Sequence, residues 1–151
     1  ILFFIKHQVK VTIFICFLHL YLVNKTYTIL GAIFICTSVI LGAFGAHGLR
    51  NILTFAEIGS FEVGVRYQIY HGIALLILGL NAKKVSLNSF IILGFSTGTV
   101  LFSGSIYLLS VDRAIGIDCS FLGSVTPIGG GTLITTWILL IIQFARSNEK
   151  H

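Results

Sequence analysis

The side chains with the most chemical potential in this chain are two histidines and their aromatic neighbours, in or beside apolar segments. His47 lies among glycines in the stretch GAFGAHGL. Tyr67, Tyr70 and His71 follow with the i, i+3, i+4 spacing that puts them on one face of a helix. An imidazole in such a place could ligate a metal or a haem, or carry a proton. In a structural role it would be neutral and hydrogen-bonded to its neighbours.

Serine, tyrosine and arginine residues extend this polar set. Ser103, Ser105 and Tyr107 lie toward the end of the third apolar segment. We expect one polar cluster, in the outer half of the membrane, that is also a candidate ligand-binding site, and its members are His47, Arg66, Tyr67, Tyr70, His71, Ser103, Ser105 and Tyr107. Two interpretations stay open. The cluster is either a hydrogen-bond network between helices or a site for a small ligand, a quinone or an ion.

Metal, cofactor and catalytic sites are not predicted. The two histidines do not have HxxxH spacing, and the cysteines Cys16, Cys36 and Cys119 have no metal-type spacing. All five acidic residues lie outside the apolar segments, which argues against a carboxylate proton relay. The sequence contains no GxSxG or HExxH motif. An enzyme is therefore the least favoured class of function.

The elements that must position these residues are membrane-spanning helices. Of the 151 residues, 56% are hydrophobic and 10% are charged, whereas an ordinary soluble domain has roughly a quarter charged residues. Apolar runs of about 20 residues cross a bilayer as helices. We therefore predict an all-α membrane protein, a four-helix transmembrane bundle, with spans at about 29–45, 64–80, 90–111 and 132–144, the last starting near 128 if it is to be long enough.

Two further hydrophobic pieces are predicted outside the spans. Apolar residues between Ile52 and Phe61 suggest a short interfacial helix between spans 1 and 2, with Glu62 and Arg66 at ion-pair spacing. The N-terminal stretch has a cationic start, a short apolar core and no cleavage site, which suggests an extra hydrophobic helix rather than the ordinary start of the mature protein. The predicted domains are an N-terminal hydrophobic extension at 1–24, a four-span membrane domain at 25–146 and a polar tail at 147–151.

The distribution of basic residues predicts the orientation. One side of the membrane would hold Lys25, Lys83, Lys84, Arg146 and Lys150. The other would hold three arginines together with four of the acidic residues. The positive-inside rule then places both ends of the four-span domain in the cytoplasm. The membrane would be a bacterial plasma membrane or, alternatively, a mitochondrial inner membrane with the ends in the matrix.

Small residues recur at four-residue spacing where membrane helices must approach closely. The expected helix-packing positions are Gly42, Ala46, Gly72, Gly94, Gly98, Gly129 and Gly130. Trp137 lies inside the fourth span. Because its indole N–H needs an acceptor in the apolar interior, we expect Trp137 to face the bundle.

Four stretches together resemble a known family. They are LGAFGAHGL (41–49), GVRYQIYHGIALL (64–76), GTVLFSGSIYLL (98–109) and VTPIGG (125–130), and they are similar to the domain of unknown function 423 family, with its bacterial YgdD-like membrane proteins and eukaryotic transmembrane protein 256. The resemblance covers about residues 25–146. It implies a small multi-spanning inner-membrane protein and carries over no catalytic role.

The matching motif positions are His47, Tyr67, His71, Ser103, Gly104, Tyr107, Pro127, Gly129 and Gly130. Residues 1–23 have no counterpart in the family. Thr136 stands where the family pattern has glycine, which predicts a looser helix contact at that point.

These features predict a non-catalytic interaction module, an accessory or assembly subunit of a larger membrane complex. The net charge of +5 forms no basic stripe with aromatic residues, so nucleic acid is not an expected partner. The expected partners are the lipid bilayer and other membrane-protein subunits. The alternative is a binding or transport module with an outer-leaflet His/Tyr/Ser site. Paired polar atoms in a dry cluster would favour the first hypothesis, and an open polar pocket the second.

Overall fold

Four long helices make up most of the described chain. The computed structural model describes residues 25–81 and 88–147, so the predicted helix at 1–24 and residues 148–151 of the tail lie outside the described residues. Helix α1 is Lys25–Gly48, α2 is Phe55–Asn81, α3 is Ser89–Ile115 and α4 is Val125–Ser147. Each is part of a helical segment long and apolar enough to cross a membrane, and no strand occurs at 25–81 or 88–147. The predicted fold class is confirmed.

Helix α2 begins well before the predicted second span. Thr54 and Glu57 form a capping box in which Glu57 Oε2 accepts the Thr54 backbone N–H at 2.6 Å and Thr54 Oγ1 accepts the Glu57 N–H at 3.3 Å. From this start the helix continues without a break to Asn81. The prediction of a separate interfacial helix between spans 1 and 2 is therefore corrected, because residues 55–61 form the first turns of α2, whereas Ile52 and Leu53 lie in the turn before it.

The glycines around His47 belong to a widened last turn of α1. Phe44–Gly48 is π-helical, and the Leu49 N–H bonds to the Phe44 carbonyl at 3.0 Å. A Cβ on Gly48 would lie 2.7 Å from the Phe44 ring, and one on Gly45 would lie 3.0 Å from the Phe61 ring. The GAFGAHGL stretch is thus glycine-rich because aromatic rings pack directly on its backbone.

The connection from α3 to α4 is tightly turned. Gly116 ends α3 in the left-handed region with φ of 69°, which glycine adopts without strain. The Asp118 carboxylate accepts the Ser120 N–H at 2.9 Å, and this hydrogen bond holds the pKa of Asp118 below its ordinary value. A short 3₁₀ helix at Ser120–Ser124 then leads into α4.

Neighbouring helices approach to backbone contact at glycines. A Cβ on Gly31 of α1 would lie 2.5 Å from the Leu76 nitrogen of α2, and one on Gly129 of α4 would overlap the backbone of Phe102 in α3. Close backbone contact of this kind is how helices associate in lipid, where hydrophobic burial contributes little. The glycines therefore join α1 to α2 and α3 to α4.

The predicted packing positions divide into two groups. Gly72, Gly94, Gly98 and Gly129 all lie where an added Cβ would press on a neighbouring helix. Gly42 and Gly130 make contacts at ordinary van der Waals distance, and Ala46 is exposed.

Thr136 does not loosen the α3–α4 contact. Its side chain lies directly over Gly94 of α3 and is 3% exposed. Position 136 on α4 has threonine rather than glycine, but the facing residue on α3 is a glycine that leaves room for it. The prediction of a looser helix contact is therefore corrected.

Candidate functional site

His71 lies at the centre of an aromatic cluster between α2, α3 and α4. Its Nδ1 is 2.7 Å from the Tyr67 carbonyl oxygen, and its Nε2 is 3.2 Å from Trp137 Nε1. A carbonyl only accepts and an indole N–H only donates, so the proton is on Nδ1 and Nε2 accepts from Trp137. Both ring nitrogens of a neutral, buried histidine are therefore paired.

Aromatic rings enclose the imidazole. Tyr67 stacks on His71 with centroids 6.1 Å apart and also contacts Phe102 at 4.6 Å. Phe95 and Trp137 meet edge to face at 5.0 Å. Such pairs each contribute about 0.5–1.5 kcal/mol beyond simple burial. His71 and Phe95 are buried in this cluster, whereas Tyr67 is 41% exposed and Trp137 is 40% exposed.

A second network joins α1, α2 and α3 through Gln68. The Tyr107 hydroxyl donates to Gln68 Oε1 at 2.9 Å, and Gln68 Nε2 donates to Thr37 Oγ1 at 2.6 Å and to the Phe34 carbonyl at 3.0 Å. Gln68 is 7% exposed, both of its amide N–H donors are paired, and its amide oxygen accepts one hydrogen bond. The predicted set omitted Gln68, although an amide within an apolar span is itself a signal for interhelical hydrogen bonding.

Two polar contacts lie nearer the ends of the helices. Ser105 Oγ and Thr126 Oγ1 are 2.7 Å apart and join α3 to the start of α4. Glu57 Oε2 accepts from the Arg113 guanidinium at 2.8 Å and joins the ends of α2 and α3. The second pair is exposed at Arg113, so its contribution to stability is small.

The other predicted site residues do not join these networks. His47 is exposed on the π-helical turn and makes no hydrogen bond within the described part of the chain. Arg66 is exposed and pairs with Glu62 at 3.6 Å, as the spacing predicted. The Tyr70 side chain is 57% exposed. Ser103 is buried, and its Oγ has no hydrogen-bond partner among the described residues. The expected single cluster is thus corrected to separate groups, because the helix register brings together only some of its members.

His71 lies well inside α2. It is 16 residues after Phe55 and 10 before Asn81, or roughly 24 Å and 15 Å along the axis at the usual helical rise. The imidazole is therefore far from both ends of the helix.

The described residues offer no metal-binding group. Within 25–81 and 88–147, no three His, Cys, Asp or Glu side chains come close enough to hold a metal ion. Four cavities of about 630, 380, 360 and 530 Å³ occur among these residues. His71, Tyr67 and Ser103 line none of these four.

Comparison with known proteins identifies one family. The family model described as "Protein of unknown function (DUF423)" matches residues 41–130. The chain is 40% identical to the UPF0382 membrane protein YwdK of Bacillus subtilis over 121 residues, which cover 78% of this chain and 94% of that protein. It is also 40% identical to the UPF0382 membrane protein SH2409 of Staphylococcus haemolyticus, over 79% of this chain and 94% of that protein. No solved structure matches the chain.

Proposed function

The chain belongs to the DUF423 family of membrane proteins of unknown function, and from its surfaces we propose that it is a non-catalytic interaction module. Its outer face on α3 and α4 would bind a transmembrane helix of a partner membrane protein. This corresponds to an accessory or assembly subunit of a larger membrane complex.

The proposed binding surface is a shallow groove between α3 and α4, which we call the threonine groove. Its volume is about 530 Å³, and small residues and larger apolar ones line it: Gly94, Thr97, Gly131, Thr132, Thr135 and Thr136 together with Phe90, Leu93 and Leu139. Three of the threonine hydroxyls donate to a carbonyl of their own helix, at 2.7 Å for Thr97, 2.9 Å for Thr132 and 2.9 Å for Thr135. The small residues therefore have their donors already satisfied, which suits the close approach of another helix.

The proposal rests mainly on the open space beside Gly131. A Cβ at Gly131 would meet nothing within 4 Å, whereas one at Gly129 would overlap Phe102. Packing within the described bundle thus explains why position 129 is glycine, but it does not explain why position 131 is glycine. Glycine within a helix costs about 1 kcal/mol relative to alanine. A transmembrane helix of a partner protein in close contact with α4 would require a small residue at position 131.

The alternative, a binding or transport site at the His/Tyr/Ser cluster, has less support. The His71 nitrogens are both paired with protein groups, and so are the Gln68 amide and the Tyr107 hydroxyl. A ligand at these atoms would have to replace hydrogen bonds that already exist, at a cost in affinity. Paired atoms of this kind favour a structural role for the cluster.

A leucine at Gly131 tests the proposal. Gly131→Leu fills the groove without an internal clash, so the bundle should fold while a complex in native membranes is lost. Gly59→Leu is the matched control, because Gly59 is also helical with open space around its Cβ but does not line the groove. Native electrophoresis of gently solubilised membranes should show a larger species for the unmodified chain and for Gly59→Leu, and only the smaller form for Gly131→Leu. A complex that persists in Gly131→Leu would contradict the proposal.

We further propose that the protein lies in a bacterial plasma membrane with both ends of the described bundle in the cytoplasm. The relatives that carry the name membrane protein come from Bacillus and Staphylococcus. The connection after α1 and the one after α3 hold Arg50 but also Asp118. The opposite end holds Lys25 and Arg146 with no described acid. With four spans, the sequence assigns five basic residues to that side, Lys25, Lys83, Lys84, Arg146 and Lys150, against three arginines on the other, and this difference supports its cytoplasmic placement.

A further inference from the structure

The largest of the four cavities opens at the end of the bundle where α3 begins and α4 ends. Its volume is about 630 Å³, within the range of small-molecule binding pockets. The lining is divided in character: Phe90, Ile91, Leu139 and Ile142 are apolar, whereas Asn88, Gln143 and Arg146 are polar. We call it the α3–α4 end cavity.

We propose that this cavity binds an anionic phospholipid, with an acyl chain against the apolar wall and the phosphodiester at Arg146 and Asn88. The shared chemistry is that of a phosphate group, and the apolar wall selects a lipid over free phosphate. Basic pockets between helix ends at the membrane surface recognise anionic headgroups in this way.

Arg146 is suited to the headgroup because no described residue neutralises its charge. It forms no ion pair within the described residues, and the cavity lining contains no acid. A guanidinium is planar and always charged, and it can donate two parallel hydrogen bonds to a phosphate. An anion is the complementary ligand for an unpaired arginine at an apolar surface.

Asn88 is a fixed donor at the same cavity. Its carbonyl oxygen accepts from the Tyr27 hydroxyl at 3.0 Å and from the Ile91 N–H at 2.9 Å. Its side-chain oxygen accepts the Phe90 N–H at 3.2 Å and caps α3. These bonds hold the residue in place and leave its amide N–H groups as donors. The first turn of α3 adds the positive end of a helix dipole, which also favours an anion.

The apolar wall suits an acyl chain. Ile142 is 40% exposed and Phe90 is 69% exposed, so both present hydrocarbon to the membrane. Leu139 continues this wall along α4 away from Arg146. A lipid placed with its phosphate at Arg146 would have its chain lie along this face, in the direction of the bilayer centre.

Native mass spectrometry of the full-length protein in detergent tests the site. The probes are phosphatidylglycerol and phosphatidylcholine with identical acyl chains, titrated separately. The unmodified chain should retain phosphatidylglycerol preferentially, and Arg146→Gln should lower that preference about fivefold, the effect of one arginine at an anionic membrane surface. Arg50→Gln is the matched control, because it removes an exposed arginine from the opposite end of the bundle. It should leave the preference unchanged.

A second variant tests the apolar half. Ile142→Trp fills the cavity and should reduce retention of phosphatidylglycerol even though Arg146 is intact. Equal retention of the two lipids by the unmodified chain, or an unchanged preference in Arg146→Gln, would overturn the proposal. So would a rise in melting temperature with inorganic phosphate alone that phosphatidylglycerol does not exceed, because the site would then bind free phosphate.

Discussion

His71 and Trp137 show how a membrane protein accommodates polar side chains away from water. The Trp137 indole N–H donates to Nε2 of His71, and the His71 Nδ1–H donates to the Tyr67 carbonyl oxygen. Interhelical hydrogen bonds in membranes are individually modest, averaging about 0.6 kcal/mol. Leaving one buried partner without the other costs more than the bond itself contributes.

Trp137→Phe should therefore lower the free energy of unfolding by about 1–2 kcal/mol, because Nε2 of His71 loses its donor while a ring still fills the space. The measurement is denaturant unfolding in mixed micelles. His71→Phe and the double variant complete a double-mutant cycle. The sum of the losses in unfolding free energy in the two single variants should exceed the loss in the double variant. Additive effects would show that the two side chains are not coupled.

Tyr107→Phe should also destabilise the protein, by about 0.5–1.5 kcal/mol, because it removes one hydrogen bond to the buried Gln68 and keeps the ring against Phe61. Tyr70→Phe is the matched control, since Tyr70 is half-exposed and makes no hydrogen bond within the described residues. The comparison uses melting temperatures in one detergent. Equal shifts for the two variants would contradict the structural role of the Gln68 network.

The sequence predicted part of this site. Helical spacing correctly placed Tyr67 and His71 together on α2, and the indole of Trp137 was correctly expected to find an acceptor inside the bundle. The identity of that acceptor depends on how α2 and α4 each pack against α3. This packing is set by close approaches such as those of Gly64 to Tyr107 and of Gly129 to Phe102, between residues far apart in the chain, which hydropathy does not report.

Helices α2, α3 and α4 carry glycines of two kinds. Those of the first kind touch a neighbouring backbone, as Gly129 does at Phe102, and those of the second kind, such as Gly131, face open space. A glycine of the first kind permits packing, whereas one of the second kind only weakens its helix unless something outside the bundle contacts it.

Substitution by alanine should separate the two kinds within one turn of α4. Gly129→Ala should destabilise the bundle by about 1–3 kcal/mol, because the new methyl group overlaps the Phe102 backbone. Gly131→Ala should stabilise the isolated protein by about 1 kcal/mol through helix propensity. Thermal unfolding of both variants in detergent is the measurement. A loss of stability in Gly131→Ala would mean that this position has an internal packing role after all.

Helix ends were the least predictable feature at this scale. Hydropathy correctly predicted four spans, but it placed the start of the second at Gly64 because Glu57 and Glu62 are charged. The Thr54 and Glu57 capping box begins the helix within that polar stretch. A stretch with charged residues can therefore be helical beyond the apolar segment that hydropathy detects.

The four-span architecture fixes which connections share a side of the membrane. Residues 49–54 and 116–119 join helices at one end of the bundle, and the start of α3 lies at the other. In a background without native cysteines, Asn51→Cys should react with a membrane-impermeant maleimide added to intact cells, because the proposed orientation puts it outside. Ser89→Cys should react only after permeabilisation. The reverse pattern would contradict the proposed orientation.

We propose that the protein binds a partner through its threonine groove, while its internal polar residues hold the bundle together. The most direct test of this proposal is a photoreactive side chain at Thr135, in the groove, compared with one at Val39, which is exposed on α1 outside the groove. After irradiation of native membranes, we expect a protein adduct of one defined mass from Thr135 and only lipid adducts from Val39. Lipid adducts alone from both positions, or an adduct with a second copy of the chain, would contradict the proposal.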